Sequence, residues 1–137
     1  MLKWLYEEGE FSKREDFPEN CYGFVYRITN KKTKKSYIGC KQYFIGTKKK
    51  ARKPSGWETY TGSSKHLNSD MEKIGKKNFT FQIVGEYENK RSLNYYECFY
   101  QMKLKVLTSV IEGTDEPAYY NNYVGGKFYR PVQKYVE

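Results

Sequence analysis

Residues 22–40 constrain the fold most, reading YGFVYRIT, then NKKTKK, then SYIGC. Two runs rich in β-branched and aromatic residues around a polar, lysine-loaded connection predict a β-hairpin, with strands near 22–29 and 36–40. Farther along, Phe79, Phe81 and Ile83 alternate with Thr80, Gln82 and Val84, and this period of two predicts a third strand with one face in a core. Between these strands, Ser63 and Ser64 can cap a helix in which Leu67, Met71 and Ile74 fall at i, i+4 and i+7, and Gly75 can end it. Ser92 stands where it can cap a second helix, over 92–107, whose stripe is Leu93, Tyr96, Tyr100, Leu104 and Leu107. Phe99 and Met102 widen that stripe toward full burial. The expected fold class is α/β in the broad sense (α+β): one compact domain with a small, mostly antiparallel, three-stranded central sheet flanked by helices.

At 137 residues the chain has the size of one ordinary domain. Residues 1–20 mix charges without periodicity after Trp4, Leu5 and Tyr6 and read as an N-terminal extension with one short helix, leaving 21–137 as the domain. Residues 41–59 carry Gly46, Pro54, Gly56 and the cluster KKKARK, which predicts an exposed connection of more than the usual few residues. The stretch around YYNNYV, with Gly125, Gly126 and Pro131 after it, reads as an irregular C-terminal segment.

Charge then narrows the partners. The net charge is +9, with eleven basic and no acidic residues from Asn20 to Trp57, so the remainder nets −2. A basic stretch of this kind favours a polyanion. Three cysteines without a C-x-x-C pair argue against a disulfide framework or a cysteine zinc site and for a reducing, cytoplasmic setting. Glu7, Glu8 and Glu10 interrupt the start of the chain where a signal peptide needs an apolar run, and no segment approaches the length of a membrane span. With His66 as the sole histidine, two-histidine relays and multi-histidine metal sites cannot be built within one chain.

Tyr26 and Tyr37 lie eleven residues apart, and GFVYRITNKKTKKSYIGCK resembles the signature of the GIY-YIG nuclease family. The first triplet departs from the pattern, since Gly23-Phe24-Val25-Tyr26 has one residue more than Gly-Ile-Tyr, whereas Tyr37-Ile38-Gly39 is intact. The run Trp57-Glu58-Thr59-Tyr60-Thr61-Gly62-Ser63-Ser64 is similar to a block of small phage-type or mobile-element members. Glu97 sits where the family places its metal-binding glutamate, and Asn121 resembles the asparagine near the family's C-terminal end. The arginine that family members carry after the second triplet is Thr47 here, so that role stays open among Lys41, Lys48 and Arg52. A histidine common in some members is Gly62, and His66 reads as structural or incidental.

The resemblance implies a Mg²⁺- or Mn²⁺-dependent DNA endonuclease, with Tyr26 as general base, Tyr37 assisting, Glu97 holding the metal, Lys41 or a loop cation against the phosphate, and Asn121 orienting the site. A tyrosine base must ionise, and an unperturbed phenol titrates near about 10. One lysine ammonium about 4 Å away would favour the phenolate by roughly 4 kcal/mol at an effective dielectric of about 20. The acid-free hairpin suits that arrangement. Glu97 is the only acid between Glu88 and Glu112, and one carboxylate suffices for an ion that keeps most of its waters. Lys48, Lys49, Lys50, Arg52 and Lys53 are expected to attract DNA phosphates without reading bases. With one site per chain, double-strand cutting would need a homodimer or sequential nicks. The rival expectation is a non-catalytic basic module that holds nucleic acid by charge and aromatic stacking; membrane-surface binding lacks the large apolar face it would need.

Overall fold

The computed structural model describes residues 4–6, 9–10, 21–45 and 53–131. The hairpin forms as expected. Gly23–Asn30 (β3) and Ser36–Gln42 (β4) pair antiparallel, with Tyr26 opposite Gly39 and Ile28 opposite Tyr37. The turn is closed by Asn30, whose Oδ1 accepts from the backbone N–H groups of Lys32 and Thr33 at 2.9 and 3.2 Å. An asparagine that bonds its own turn in this way leaves the lysines free to point outward. Phe79–Tyr87 (β7) joins the other side of β3 antiparallel, which completes the three-stranded antiparallel core.

The sheet is wider than that core. Trp4–Tyr6 (β1) pairs parallel with β7, and Gly9–Glu10 (β2) pairs antiparallel with β1, giving the order β2-β1-β7-β3-β4. The N-terminal stretch expected to hold a short helix therefore supplies two strands. Three residues are too few to show a period, and a parallel partner more than seventy positions away leaves no local mark.

A register shift in the β3–β7 ladder between Val25 and Tyr26 leaves Val84 without an opposite residue. Such a bulge bends and twists its strand, and here Phe24, Val25 and Tyr26 are all buried, Phe24 and Tyr26 in one core and Val25 in another. The first core takes Leu67 and Met71 of Lys65–Ile74 (α1); the second takes Leu93 of Lys90–Lys103 (α2) with Val106 and Leu107. The helices thus cover opposite faces of the sheet. Ser64 caps α1, accepting from the Leu67 N–H at 3.2 Å, and Gly75 ends it at φ +91.

α2 departs from its expected frame. It begins one turn earlier, capped by Asn89, which accepts from the Ser92 N–H at 2.8 Å. Asparagine is as good a cap as serine, and Ser92 falls inside the first turn. The face turned to the sheet carries Leu93, Glu97 and Gln101, spaced i, i+4 and i+8, while Phe99 and Met102, expected to approach full burial, are exposed. The outer aromatics cover one another instead: Tyr96 stacks on Tyr87 with ring centroids 4.7 Å apart, and Phe99 meets Tyr96 and Tyr100 edge-on.

The connection after β4 is partly structured. Phe44–Ile45 (β5) pairs with Lys53–Pro54 (β6), and the buried Tyr43 and Trp57 rings meet edge-on at 5.4 Å. Lys48, Lys49, Lys50 and Arg52 lie outside the described residues, and of Lys53 only the backbone pairing is described. At the other edge, residues 118–121 run alongside β4: Ser36 N–H donates to the Ala118 carbonyl and Tyr120 N–H donates to the Ser36 carbonyl. The stretch expected to be irregular thereby covers part of an open sheet edge, and it continues into a second small hairpin, Tyr123–Val124 (β8) with Phe128–Tyr129 (β9).

Candidate active site

A cleft of about 700 Å³ opens where β4, the first turn of α1, α2 and the 120–126 segment meet. Tyr37, Glu97 and Asn121 line it, together with Lys65 and His66. Three elements distant in sequence therefore bring three of the expected site residues into one cavity. Tyr26 and Lys41 are not among its walls.

The two tyrosines occupy different places. Tyr26 is 1% exposed, with its ring 6.1 Å from that of Tyr37 and 6.0 Å from that of Tyr60. Burial, then the neighbouring phenols of Tyr37 and Tyr60, push its pKa well above the usual phenol value. Tyr37 is only partly buried, and its hydroxyl shares a hydrogen bond with the Ser63 hydroxyl at 3.0 Å. Burial raises its pKa as well, the Ser63 bond pulls it back, and the charges of Tyr60, Glu97 and Tyr123 add to the rise. Among the described residues, burial and neighbouring phenols dominate the surroundings of Tyr26. Lys41 instead sits over the Tyr60 ring at 4.4 Å, in an adjoining hollow of about 280 Å³ that shares Asn94 with the main cleft.

Gly39 explains the close pairing of these rings. A Cβ built there would lie 2.4 Å from the Tyr26 hydroxyl and 2.9 Å from Cε2 of Tyr37, so a side chain at this position would occupy the space that the two phenols fill. Glycine serves close approach here, not an unusual backbone angle.

Glu97 projects from α2 toward Cys40. Burial raises its pKa, opposed by hydrogen bonds from the Cys40 thiol and backbone. The Cys40 thiol is in turn pushed far above the usual range, by burial first and by the Glu97 charge second. Among the described residues no group of three or more His, Cys, Asp and Glu side chains could hold a metal ion. A single half-buried carboxylate still fits Mg²⁺ or Mn²⁺, which bind through one or two carboxylates and retain waters, and a nearby cation would relieve the cost that raises its pKa.

Asn121 is buried, and both polar atoms of its side chain are hydrogen-bonded: Oδ1 accepts from the Ile38 N–H at 3.1 Å and Nδ2 donates to the Ile38 carbonyl at 2.8 Å. Gln101 Nε2 donates to that same carbonyl at 2.9 Å. Both residues thereby fix the strand that carries Tyr37. Nothing in the sequence marks the bond from Gln101 to the strand, because an amide in a helix carries no motif.

Two further residues of the cleft carry no motif in the sequence. Lys65 and His66 belong to the first turn of α1, where the helix dipole favours anions. His66 Nε2 lies 3.9 Å from Asp70, whose Oδ2 accepts from the Tyr120 hydroxyl at 2.7 Å. His66 thus lines the cleft beside Asp70, at a separation longer than a hydrogen bond, with its ring edge-on to that of Tyr120 at 5.0 Å.

Residues 4–124 match the family model described as "Putative endonuclease segE, GIY-YIG domain", a span that takes in β1 and the cleft residues as far as Tyr123. No curated protein and no solved structure matched the chain. With Tyr26, Tyr37-Ile38-Gly39, Glu97 and Asn121 all inside the matched span, this chain belongs to the GIY-YIG endonuclease family.

Proposed function

We propose that the domain is a Mg²⁺- or Mn²⁺-dependent DNA endonuclease that hydrolyses phosphodiester bonds in the Tyr37–Glu97 cleft. The observation that carries this reading is convergence: a phenol from the hairpin and a half-buried carboxylate from α2 line one cavity, close enough for the Glu97 charge to raise the Tyr37 pKa. Glu97 would hold the ion, which when bound offsets negative charge on the phosphate and on the leaving 3′ oxygen. Tyr37 lines the cleft and, as its phenolate, takes the proton of the attacking water, with the Ser63 hydroxyl orienting its oxygen. The water oxygen bonds to phosphorus as the bond to the 3′ oxygen breaks.

Lys65, at the N-terminal turn of α1, neutralises charge on the non-bridging phosphate oxygens, and the neighbouring His66 donates a hydrogen bond to them. They take over the role that the sequence left open among Lys41, Lys48 and Arg52. Tyr26 packs behind Tyr37 and holds its ring, and Asn121 holds the backbone of Ile38, one residue on. Lys48, Lys49, Lys50, Arg52 and Lys53 extend the charge available to flanking phosphates. The resemblance to small phage-type members suggests a phage or mobile-element nuclease working in the cytoplasm, as a homodimer if it cuts both strands.

The rival is a non-catalytic DNA-binding module, favoured by the upward shift of both tyrosine pKa values, which leaves neither phenol a ready base by itself. Supercoiled plasmid incubated with the protein in Mg²⁺ or in EDTA separates the two. Nicked or linear product in Mg²⁺ and none in EDTA supports the nuclease; binding without product in either supports the module.

A further inference from the structure

The β8–β9 hairpin forms the rim of the cleft, and most of it lies beyond residue 124, where the family match ends. It is firmly attached. Val124 is buried in the second core, and an ideal Cβ on Gly125 would stand 3.1 Å from Cys98 Sγ, so the turn rests on α2. Arg130 donates to the carbonyls of Leu107 and Asn121. Gly125 and Gly126, at φ +60 and +71, give a turn that most side chains would strain, and both line the cleft.

On this anchored hairpin the aromatic pair is left bare. Tyr123 is 50% exposed and Tyr129 65%, although they sit opposite each other across the ladder with ring centroids 5.9 Å apart. Tyr123 also lines the cleft that holds Glu97. From Pro117 to Pro131 the chain has Lys127 and Arg130 and no acidic residue, so the platform carries the charge that suits a nucleic-acid strand. Aromatic faces beside a phosphate-binding groove are how proteins hold unpaired bases.

We propose that Tyr123 and Tyr129 form a stacking platform for a nucleobase of the DNA strand leaving the cleft, an inference that rests on the nuclease reading. The platform takes a base that is out of the duplex stack, so it gives the domain a preference for bulged or locally opened DNA over fully paired DNA.

The test uses the full chain carrying Glu97→Gln, so that DNA is bound and not cut, with a duplex bearing 2-aminopurine in a one-nucleotide bulge and a fully paired duplex as control. Affinity is read by anisotropy and stacking by 2-aminopurine quenching, while plasmid cutting is followed in parallel with Glu97 intact. Tyr129→Ala should weaken binding to the bulged duplex about tenfold and abolish the quench, whereas Tyr129→Phe should stay within about twofold because the ring is kept. Equal affinity and equal quenching in Tyr129→Ala, with the unaltered protein still cutting plasmid, overturns the platform alone. A change from dimer to monomer in Tyr129→Ala with DNA affinity unchanged also overturns it, since a second copy would then be the occupant. If the unaltered protein neither binds nor cuts any DNA, the nuclease reading fails first and the platform falls with it.

Discussion

The side chain of Asn121 makes to Ile38 the two hydrogen bonds that a neighbouring strand would make, accepting from its N–H at 3.1 Å and donating to its carbonyl at 2.8 Å. One amide thus extends the pairing of the β4 edge by a residue, next to Tyr37. Asn121→Ala should cost about 1–3 kcal/mol, the price of a buried polar group left unpaired. Asn121→Asp should cost more at neutral pH, because a carboxylate oxygen would then face the Ile38 carbonyl. Urea unfolding of both variants measures this, and two midpoints equal to that of the parent would show that the edge bonds are not limiting.

Gly39 gives a second test of the same strand. Its backbone conformation tolerates alanine, but the added methyl would overlap the Tyr26 hydroxyl. Gly39→Ala should therefore destabilise the fold by about 1–3 kcal/mol through overpacking. Cutting should fall further than stability alone explains, since both phenols must move. Unfolding and single-turnover cleavage, compared on one sample, separate the two effects.

Glu97→Gln should abolish metal-dependent cutting while leaving DNA affinity near the parent value, because it removes the metal's carboxylate and no phosphate contact. Calorimetric titration with Mn²⁺ should show binding to the parent that is lost in the variant. Since burial raises the Glu97 pKa, protons compete for this carboxylate at a higher pH than usual, so metal affinity should weaken on acidification before an ordinary glutamate would lose its charge. Full cutting by Glu97→Gln in Mg²⁺ would falsify the metal assignment.

Tyr37→Phe should lower the cleavage rate about a hundredfold, as for loss of a general base. Because burial raises the Tyr37 pKa, the reactive phenolate is scarce at neutrality and its fraction grows as pH rises, so the rate should climb through the alkaline range. Tyr26→Phe should keep that alkaline limb, because its hydroxyl is enclosed. If the limb vanishes in Tyr26→Phe and survives in Tyr37→Phe, the two roles are reversed.

Glu86 should make stability depend on pH. Burial raises its carboxyl to about 7 from 4.5, and the Cys21 thiol donates to Oε2 at 2.8 Å. Below about pH 4.5 both folded and unfolded chains are protonated here and nothing is lost. From there to about 7 the unfolded chain ionises while the folded one resists, so stability falls, and above about 7 the loss is complete. Glu86→Gln should therefore stabilise the protein at pH 8 by about 1–2 kcal/mol, allowing for solvent screening, and by nothing measurable at pH 4. Thermal or urea melts at the two pH values decide it; an equal gain at both would trace the effect to packing.

Local pattern carried much of this molecule. The alternation in β3, β4 and β7, the Ser64 cap and the Gly75 stop of α1 act over a few residues, so their spacing in the chain is their spacing in space. Glu97 stood out in the sequence as a lone acid in an apolar helix, and Asn121 only through its resemblance to the asparagine near the family's C-terminal end. What tertiary structure decided depends on partners far along the chain. The parallel strand at Trp4–Tyr6, the face of α2 that meets the sheet, and the burial of Tyr26 against the exposure of Tyr37 to the cleft are each set by what packs opposite. An aromatic stripe looks the same in sequence whether it meets a sheet or another ring. The arrival of Lys65, His66 and Gln101 beside Glu97 is of that kind too, because a cleft is made by the meeting of surfaces, and no one segment contains it.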